Sequence, residues 1–426
     1  MISVPNCCDM NHPSAIASPK LVQLIQDGVN EELLHGQPHP LWARLREVGT
    51  ELWLDTGDMD EAARMWSQEF TALTTNNSLL NKEIQKGIYD QWIPSAAAAV
   101  REDNPDISDH DLILEIAFAL NARHGLRLVE KFGAYVSVEL HTDLAYDVER
   151  SLAYGRRYAA ICNKFIVKVP LTPEGLVVAR NLEEEGIPVN FTLGFSAREN
   201  YLITCAARPS WCNVFLGRLG AYVAGEGLGD GQWVGERAHM ASQAAVRELR
   251  EKIGAPTRQI AASMRSGEQA GTLAGTDVYT MPIAVAEGFQ EMNPALGDVL
   301  DVTDADYQPT WNDGVDPQAE GLNDLWAITP AFAAVCDSIA QIPVAELSAD
   351  TIRGSLIDAG CGGVFPQLND AQLKTLIAEG KAPKRATWSA DLANGSFGLD
   401  GLFTLAGLHA FAQDQAALDD RIREQL

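Results

Sequence analysis

The chain has 426 residues, of which 46% are hydrophobic and 21% are charged, a composition typical of a globular protein with a large core. Its net charge of −26 argues against a nucleic-acid partner, because phosphate backbones bind cationic surfaces. No apolar run approaches the roughly 20 residues of a membrane span, so no membrane partner is expected. The first residues lack the basic and apolar regions of a secretory signal.

Seven cysteines are scattered along the chain, and only Cys7 and Cys8 are adjacent. An odd number of cysteines in a chain of this size is more typical of reduced thiols than of a disulfide framework. No cluster of cysteines and histidines has the spacing of a zinc site. We therefore expect a cytoplasmic protein with no metal site.

Two helices are predicted near the start of the chain, over residues 18–34 and 39–49. Eight short β-like runs then alternate with helical stretches. These runs cover residues 51–55, 71–75, 134–140, 165–169, 188–193, 212–216, 259–264 and 277–281. The alternation predicts an α/β fold with a parallel sheet, and eight strands favour closure into a (β/α)8 TIM barrel. An open doubly wound sheet is the alternative, but the segment after the first run, LDTGDMD, is not the glycine-rich phosphate loop usual there.

The pattern changes near residue 290. Residues 296–325 are rich in Asp, Gly, Asn and Pro, which indicates a long irregular loop, and residues 330–385 indicate short helices. The tail from residue 398 predicts an amphipathic helix. Its apolar positions fall at three-residue steps, as on one helical face: Leu402, Leu405, Leu408 and Phe411. We expect a catalytic barrel with N-terminal helices over residues 1–290 and a helical extension over residues 291–426 that packs on the barrel.

Lys168 is the most informative residue, because it lies in the apolar run FIVKVP and the following LTPEGL opens a helix. Burial disfavours the charged ammonium form, so a buried lysine can offer a neutral amine that attacks a carbonyl. The alternative for a single lysine of this kind is a strand-end side chain that extends to solvent. The neighbouring strands favour the first interpretation.

Polar and apolar side chains alternate along these strands, which places them on opposite faces. Asn190 and Thr192 share one face, and Ser263 and Arg265 are predicted to share another, opposite Ala262 and Met264. In a closed barrel the polar faces converge on the lumen, and catalytic groups lie at the carboxyl ends of the strands. The polar residues late in their strands or just beyond them are Asp55, Asn76, Glu139, Lys168, Asn190, Thr192 and Arg265. This set favours a Schiff-base site for a phosphorylated sugar.

Seven blocks of sequence resemble the transaldolase family and follow the family's order from residue 52 to about residue 282. The run VKVPLTPEGL is similar to the family's IKIP strand and turn, and VNFTLGFS is similar to NLTLLFS. LDTGDMD resembles DTGD, TTNNSLL resembles TTNPSLL, VSVELHTDLAYD resembles VSTEVDARLSFD, VFLGRL resembles FVGRI, and ASMRSGEQAGTLAGTD resembles the late-barrel ASFRN or ASIR segment. The last helix also resembles the family's C-terminal helix. The resemblance implies a Schiff-base enzyme that moves dihydroxyacetone between sugar phosphates without a cofactor.

The resemblance also implies roles for single residues. Lys168 corresponds to the Schiff-base lysine, and Asp55 to the acid that assists cleavage of the carbon–carbon bond. Glu139 and Thr192 correspond to the pair that holds the catalytic water. The implied substrate-binding residues are Asn76, Asn190, Asn213, Phe215, Arg218, Ser263 and Arg265, with the two arginines on the phosphate.

Two positions depart from the family pattern: Asn213 stands where a serine is usual, and TTNP has become TTNN. The related fructose-6-phosphate aldolases usually have glutamine in place of Glu139 and tyrosine in place of Phe215, so both positions here follow the transferase pattern. A Schiff-base aldolase or a transferase for an unusual sugar phosphate remains an alternative, as does a catalytically weakened binding protein. The expected partners are sugar phosphates, and a homodimer is one expected assembly.

Overall fold

The computed structural model describes residues 19–426, so Cys7 and Cys8 lie outside the described residues. Eight parallel strands form a closed barrel in sequence order, and the last strand pairs with the first. The strands are β1 (Glu51–Asp55), β2 (Phe70–Thr74), β3 (Tyr135–Glu139), β4 (Phe165–Pro170), β5 (Val189–Thr192), β6 (Trp211–Phe215), β7 (Arg258–Ala262) and β8 (Val278–Met281). The predicted barrel is confirmed, and the ends of the predicted strands differ from the observed ones by at most two residues.

Helices cover the outside of the barrel and both ends of the described chain. Two precede the first strand: α1 (Pro19–Gln26) and α2 (Pro40–Glu47). Those that follow the strands are α3 (Met59–Met65), α4 (Asn77–Gln85), α5 (Ile93–Asp103), α6 (Asp109–Phe132), α7 (Val148–Ile161), α8 (Pro173–Glu184), α9 (Ala197–Ala206), α10 (Leu216–Gly225), α11 (Val234–Ile253), α12 (Glu268–Thr272) and α13 (Ile283–Met292). The C-terminal helices are α14 (Pro330–Ala340), α15 (Ala349–Asp358), α16 (Asp370–Glu379), α17 (Arg385–Ala393) and α18 (Leu399–Glu424). No helix within residues 19–426 is long and apolar enough to cross a membrane.

The amino-terminal half of the lumen is packed with side chains. Trp53 on β1 and Trp211 on β6 meet with ring centroids 5.1 Å apart, although their strands are not neighbours in the sheet. Glu51 accepts hydrogen bonds from the Trp53 indole at 2.9 Å and from the Thr71 hydroxyl at 2.6 Å. Because the two indole rings fill this end and Glu51 is hydrogen-bonded to its neighbours, space for a ligand lies at the carboxyl end of the strands.

The turn after β4 follows directly from its sequence. The Thr172 hydroxyl accepts a hydrogen bond from the Gly175 amide at 2.8 Å and so caps α8, while Pro173 occupies the first helical position. This confirms that LTPEGL opens a helix. The cap fixes the point at which β4 ends, two residues after Lys168.

The first predicted helix is shorter than expected. It was predicted over residues 18–34, but α1 ends at Gln26. Gly28 adopts a left-handed conformation with φ of 71°, which favours glycine and stops the helix. The Arg123 guanidinium donates hydrogen bonds to the carbonyl oxygens of Leu24 and Ile25, so the open end of the helix is satisfied by a tertiary contact.

The last helix packs on the barrel and contacts α4 and α6. Its first half is buried on nearly every side, including Leu402, Phe403 and Ala406. The prediction of one apolar face is therefore wrong for this half, because it lies between the barrel and the extension; Leu405, on the predicted face, is only partly buried. Asp414 accepts a hydrogen bond from Ser78 on α4. The division into domains at residue 290 stays a prediction.

Candidate active site

Lys168 lies in the centre of the polar lumen. Every residue of β4 is buried, and Lys168 is 4% exposed. In the parallel sheet it pairs with Glu139 on β3 and with Asn190 on β5, so these three side chains share the lumen face. The Lys168 Nζ lies 4.0 Å from the Glu139 Oε2 and donates a hydrogen bond to the Thr75 carbonyl oxygen at 3.1 Å. The amine is thus enclosed, with an acidic group beside it.

Two carboxyl groups flank this amine. Asp55 accepts a hydrogen bond from the Thr74 hydroxyl at 2.7 Å, and the hydroxyl oxygens of Thr74 and Thr280 lie 2.6 Å apart. Burial raises the pKa of Asp55 and of Glu139 above the ordinary range, and the Lys168 charge opposes the shift in both cases. Raised pKa values suit groups that must take up and release protons in turnover.

A cavity of about 260 Å³ opens above these groups at the carboxyl ends of the strands. It is lined by the following predicted site residues: Asp55, Asn76, Lys168, Asn190, Asn213, Phe215, Arg218, Ser263 and Arg265. The predicted residues that do not line it are Glu139 and Thr192. Glu139 lies directly behind Lys168, and Thr192 is fully buried on the lumen face of β5, two residues beyond Asn190.

A larger cavity of about 600 Å³ lies outside the barrel between α5, α6 and α7. Its lining includes Asp103, Asp111, Glu115, Asp147 and Glu149. Arg150 and Arg157 also line it, but they pair with Asp111 and Glu115, so the five acidic side chains leave the cavity with a net negative charge that disfavours a phosphate group. The smaller cavity is therefore the candidate active site for an anionic sugar.

The polar side chains of the site differ in how far they are already hydrogen-bonded. The Asn190 Nδ2 donates to the Ser137 hydroxyl at 3.1 Å, while its Oδ1 has no partner within residues 19–426. The Thr192 hydroxyl is also buried without a hydrogen-bond partner in this part of the chain. Asn213 instead donates to the Phe191 carbonyl oxygen at 2.7 Å and accepts from the Gly194 amide at 3.3 Å. Asn190 and Thr192 thus have bonding capacity left for a ligand, whereas Asn213 chiefly ties β5 to β6.

Arg218 is a largely buried cation among aromatic rings. Its guanidinium carbon lies 5.9 Å, 5.3 Å and 5.9 Å from the ring centroids of Phe195, Phe215 and Phe411. Its Nη1 is buried and has no hydrogen-bond partner within the described chain. Burial and the charge of Arg265 lower the pKa of Arg218 to about 10. A bound phosphate dianion would offset both the cost of burying the Arg218 charge and its repulsion from Arg265. Its oxygens would also accept hydrogen bonds from the unused N–H groups of Arg218.

One predicted strand face is wrong at the end of β7. Ser263 and Arg265 line the cavity as expected, but so does Ala262, which was predicted to face the helices. The strand ends at Ala262, and Ser263 takes a left-handed conformation with φ of 61°, so the alternation breaks there. A Cβ added to Gly217 would lie 2.6 Å from the Arg265 Cγ, so the Arg265 side chain packs directly on Gly217 and leaves no room for a side chain there.

Sequence reasoning did not assign several lining residues to the site. Phe411 on α18 places its ring centroid 5.8 Å from the Lys168 Nζ, and Lys82 and Lys381 line the cavity as exposed cations. Lys82 follows the TTNN block by five residues on the helix that this block opens, a signal that could have suggested it. Nothing in the local sequence assigns Phe411 or Lys381 to the site, because both belong to the C-terminal extension and follow Lys168 by more than 200 residues. No group of three His, Cys, Asp or Glu side chains within residues 19–426 could hold a metal ion.

Comparison with known proteins places the chain in a family. The profile of the Transaldolase/Fructose-6-phosphate aldolase family matches residues 52–318, which is more than half of the chain. The chain belongs to this family. A protein named "Probable transaldolase" from Thermus thermophilus is 34% identical over 242 residues, which cover 55% of this chain and 88% of the relative.

Two relatives named "Transaldolase" match at somewhat lower identity. The protein from Xanthomonas euvesicatoria pv. vesicatoria is 30% identical over 246 residues, covering 56% of this chain and 74% of the relative. The protein from Chlamydia felis is 27% identical over 266 residues, covering 60% of this chain and 79% of the relative. The chain is thus a transaldolase-family enzyme, and the family's name includes both a transferase and an aldolase.

Proposed function

We propose that this protein is a transaldolase that carries a dihydroxyacetone unit on Lys168. The donor and acceptor pairs are sedoheptulose 7-phosphate with glyceraldehyde 3-phosphate, and erythrose 4-phosphate with fructose 6-phosphate. The observation that carries the proposal is the enclosed Lys168 amine between Glu139 and Asn190, in a cavity that is also lined by Arg218, whose Nη1 has no hydrogen-bond partner within residues 19–426. An amine nucleophile and an unsatisfied cation in one small cavity suit a phosphorylated ketose.

The reaction begins with attack of the neutral Lys168 amine on the ketose carbonyl carbon. Loss of water from the resulting carbinolamine gives an iminium, which acts as an electron sink. Glu139, 4.0 Å from the amine, is proposed to exchange protons during this step and to hold the catalytic water together with Thr192. Such acid–base steps typically contribute about 10²–10⁴-fold in rate.

Asp55 then takes the proton of the C4 hydroxyl. The C3–C4 bond breaks, its electron pair moves into the iminium to give an enamine, and an aldose phosphate leaves. A second aldose phosphate enters, the enamine carbon attacks its aldehyde carbon, and Asp55 returns the proton to the new hydroxyl. Hydrolysis of the second iminium releases the product ketose. The raised pKa of Asp55 supports a carboxyl group that alternates between the two protonation states.

The phosphate of each sugar is proposed to bind between Arg218 and Arg265. Arg218 offers donors from inside the cavity, and Arg265 offers donors from its exposed rim. Asn76 and Asn190 are proposed to orient the dihydroxyacetone hydroxyls. Asn76 also caps α4 through its Oδ1, which accepts from the Leu79 amide at 2.8 Å, so its Nδ2 is the end available to the sugar.

An aldolase that releases free dihydroxyacetone is the second candidate, because the family's name includes such enzymes. Phe215 lines the cavity 5.3 Å from the Arg218 guanidinium and carries no hydroxyl that could assist protonation of the enamine by water. This favours transfer over release.

The two candidates are separated by one assay. The purified protein is given fructose 6-phosphate with and without erythrose 4-phosphate, and both glyceraldehyde 3-phosphate and free dihydroxyacetone are measured. We expect fast formation of glyceraldehyde 3-phosphate only when the acceptor is present. Release of dihydroxyacetone at the rate of transfer would identify an aldolase, and absence of both products would contradict the proposed site.

A further inference from the structure

Asn77 contacts the carboxylate that lies beside Lys168. It is the first residue of α4 and is buried, and its main-chain amide donates a hydrogen bond to the Glu139 Oε2 at 3.0 Å. The preceding Asn76 caps the helix with its side chain on the Leu79 amide. The Asn77 amide is one of the first N–H groups of the helix, which have no acceptor within the helix itself. Glu139 supplies that acceptor.

The same carboxylate oxygen accepts the hydrogen bond from the Asn77 amide and lies within ion-pair distance of the Lys168 amine. The Glu139 Oε2 is 3.0 Å from the Asn77 nitrogen and 4.0 Å from the Lys168 Nζ. Charge-assisted hydrogen bonds of this kind are short and directional, and the amino end of a helix favours an anion. A carboxylate held by a main-chain amide keeps its position relative to the lysine, because Glu139 and Lys168 are register partners on the adjacent strands β3 and β4.

Other ionisable groups also face Glu139. Asp55 on β1 is close enough for its charge to act on Glu139. The Tyr158 hydroxyl on α7 donates a hydrogen bond to the Glu139 carbonyl oxygen at 3.5 Å, and His141 lines the same small cavity as Glu139. Burial and the Asp55 charge raise the pKa of Glu139, while the Lys168 charge and the Asn77 amide lower it. Loss of the Asn77 main-chain N–H should therefore raise the pKa of Glu139 and favour its protonated form.

We propose that Asn77 is a positioning residue whose main-chain amide holds the Glu139 carboxylate against Lys168. The inference rests on the proposed transaldolase reaction and adds a residue to it. The contact requires a residue with an N–H at this position, which proline lacks. The second asparagine of TTNNSLL stands where the family's pattern has proline, and it therefore makes a contact that proline could not make.

The test compares Asn77→Pro with Asn77→Ala. Proline is well suited to the first position of a helix, and the extended backbone of Asn76 (φ −156°, ψ 171°) suits a residue before proline. Proline removes the N–H and places a ring carbon there, so the carboxylate loses its donor and must move. Alanine keeps the N–H and removes only the side-chain amide, whose Nδ2 has no hydrogen-bond partner within residues 19–426. The difference between the variants isolates the main-chain contact.

The protonation of Glu139 can be measured without turnover from its carboxyl band in pH-difference infrared spectra, assigned by its absence in Glu139→Gln. We expect the midpoint in Asn77→Pro to lie about one pH unit or more above that in Asn77→Ala, from the strength of a hydrogen bond to a charged group. The acidic limb of the kcat profile should move in the same direction, with KM changed less than kcat. Asn77→Ala should match the wild type.

Equal midpoints in the two variants would overturn the inference, even if the wild type is an active transaldolase. An inactive wild type would instead contradict the proposed function, and the infrared comparison would still decide the role of Asn77. If Asn77→Pro does not fold, the contact is tested instead by hydrogen exchange of the Asn77 amide in the wild type and in Glu139→Ala. Exchange in Glu139→Ala should be at least about tenfold faster than in the wild type, and equal rates would exclude the contact.

Discussion

Replacing Arg218 by methionine should weaken phosphate binding and at the same time stabilise the free protein. The guanidinium lies among Phe195, Phe215 and Phe411, and its Nη1 has no hydrogen-bond partner in the described chain. Burial and the Arg265 charge lower its pKa to about 10. Methionine keeps an apolar stem of similar length and removes the charge.

The magnitudes follow from these contacts. A lowered pKa means that the folded state holds the arginine proton less tightly than the unfolded state. The resulting destabilisation is present at all pH values below about 10, where both states keep the proton, and it fades as the pH rises above that value. The shift corresponds to about 3 kcal/mol at most, so we expect an increase in unfolding free energy of about 1–3 kcal/mol at pH 7. Loss of a charge-assisted contact of about 1.5–3 kcal/mol should raise KM for sugar phosphates roughly 10–100-fold.

The assay combines urea unfolding at pH 7 with steady-state kinetics on fructose 6-phosphate and on unphosphorylated fructose. Arg265→Met is the matched control, because Arg265 is exposed: the substitution should raise KM with a smaller gain in stability, since it removes only the repulsion between the two arginines and leaves the Arg218 charge buried. Inorganic phosphate should raise the unfolding midpoint of the wild type and have much less effect on Arg218→Met. A less stable Arg218→Met protein, or an equal loss on unphosphorylated fructose, would refute the assignment of Arg218 to phosphate.

Three further substitutions test other parts of the site. Lys168→Ala should abolish turnover while the circular dichroism spectrum stays that of the wild type, and full activity in this variant would end the proposed mechanism. Phe215→Tyr should raise the release of dihydroxyacetone relative to transfer, because the added hydroxyl can assist protonation of the enamine; an unchanged ratio in the product assay counts against this role. Lys381→Ala should raise KM for sugar phosphates about two- to fivefold, as expected for one exposed cation. Lys384→Ala is its control, since Lys384 pairs with Glu226 at 3.2 Å and does not line the cavity, and equal KM values in the two variants would exclude a role for Lys381.

The strands and most of the candidate site could be predicted because both depend on local pattern. Apolar alternation and turn residues mark each strand, and parallel closure brings the strand ends to one rim. In the barrel Glu139, Lys168 and Asn190 pair across three adjacent strands, as their common place late in each strand suggested. Their chemical roles remain predictions.

The features that could not be predicted depend on tertiary structure or on single backbone conformations. Phe411 and Lys381 reach the cavity only because the extension folds back over the barrel. The left-handed Ser263 breaks the alternation after β7, and the early end of α1 depends on a contact from Arg123. The hydrogen bond from Asn77 to Glu139 likewise appears only once α4 is placed beside β3.

The most direct test of the Schiff-base mechanism is reduction of the protein with borohydride in the presence of fructose 6-phosphate, followed by mass spectrometry of its peptides. Reduction converts the iminium to a stable secondary amine, which adds the mass of the reduced sugar fragment to the attacking residue. We predict a single modified peptide that contains Lys168, and loss of activity in proportion to its formation. The absence of an adduct on Lys168, or equal labelling of the rim residues Lys82 and Lys381, would contradict the central claim.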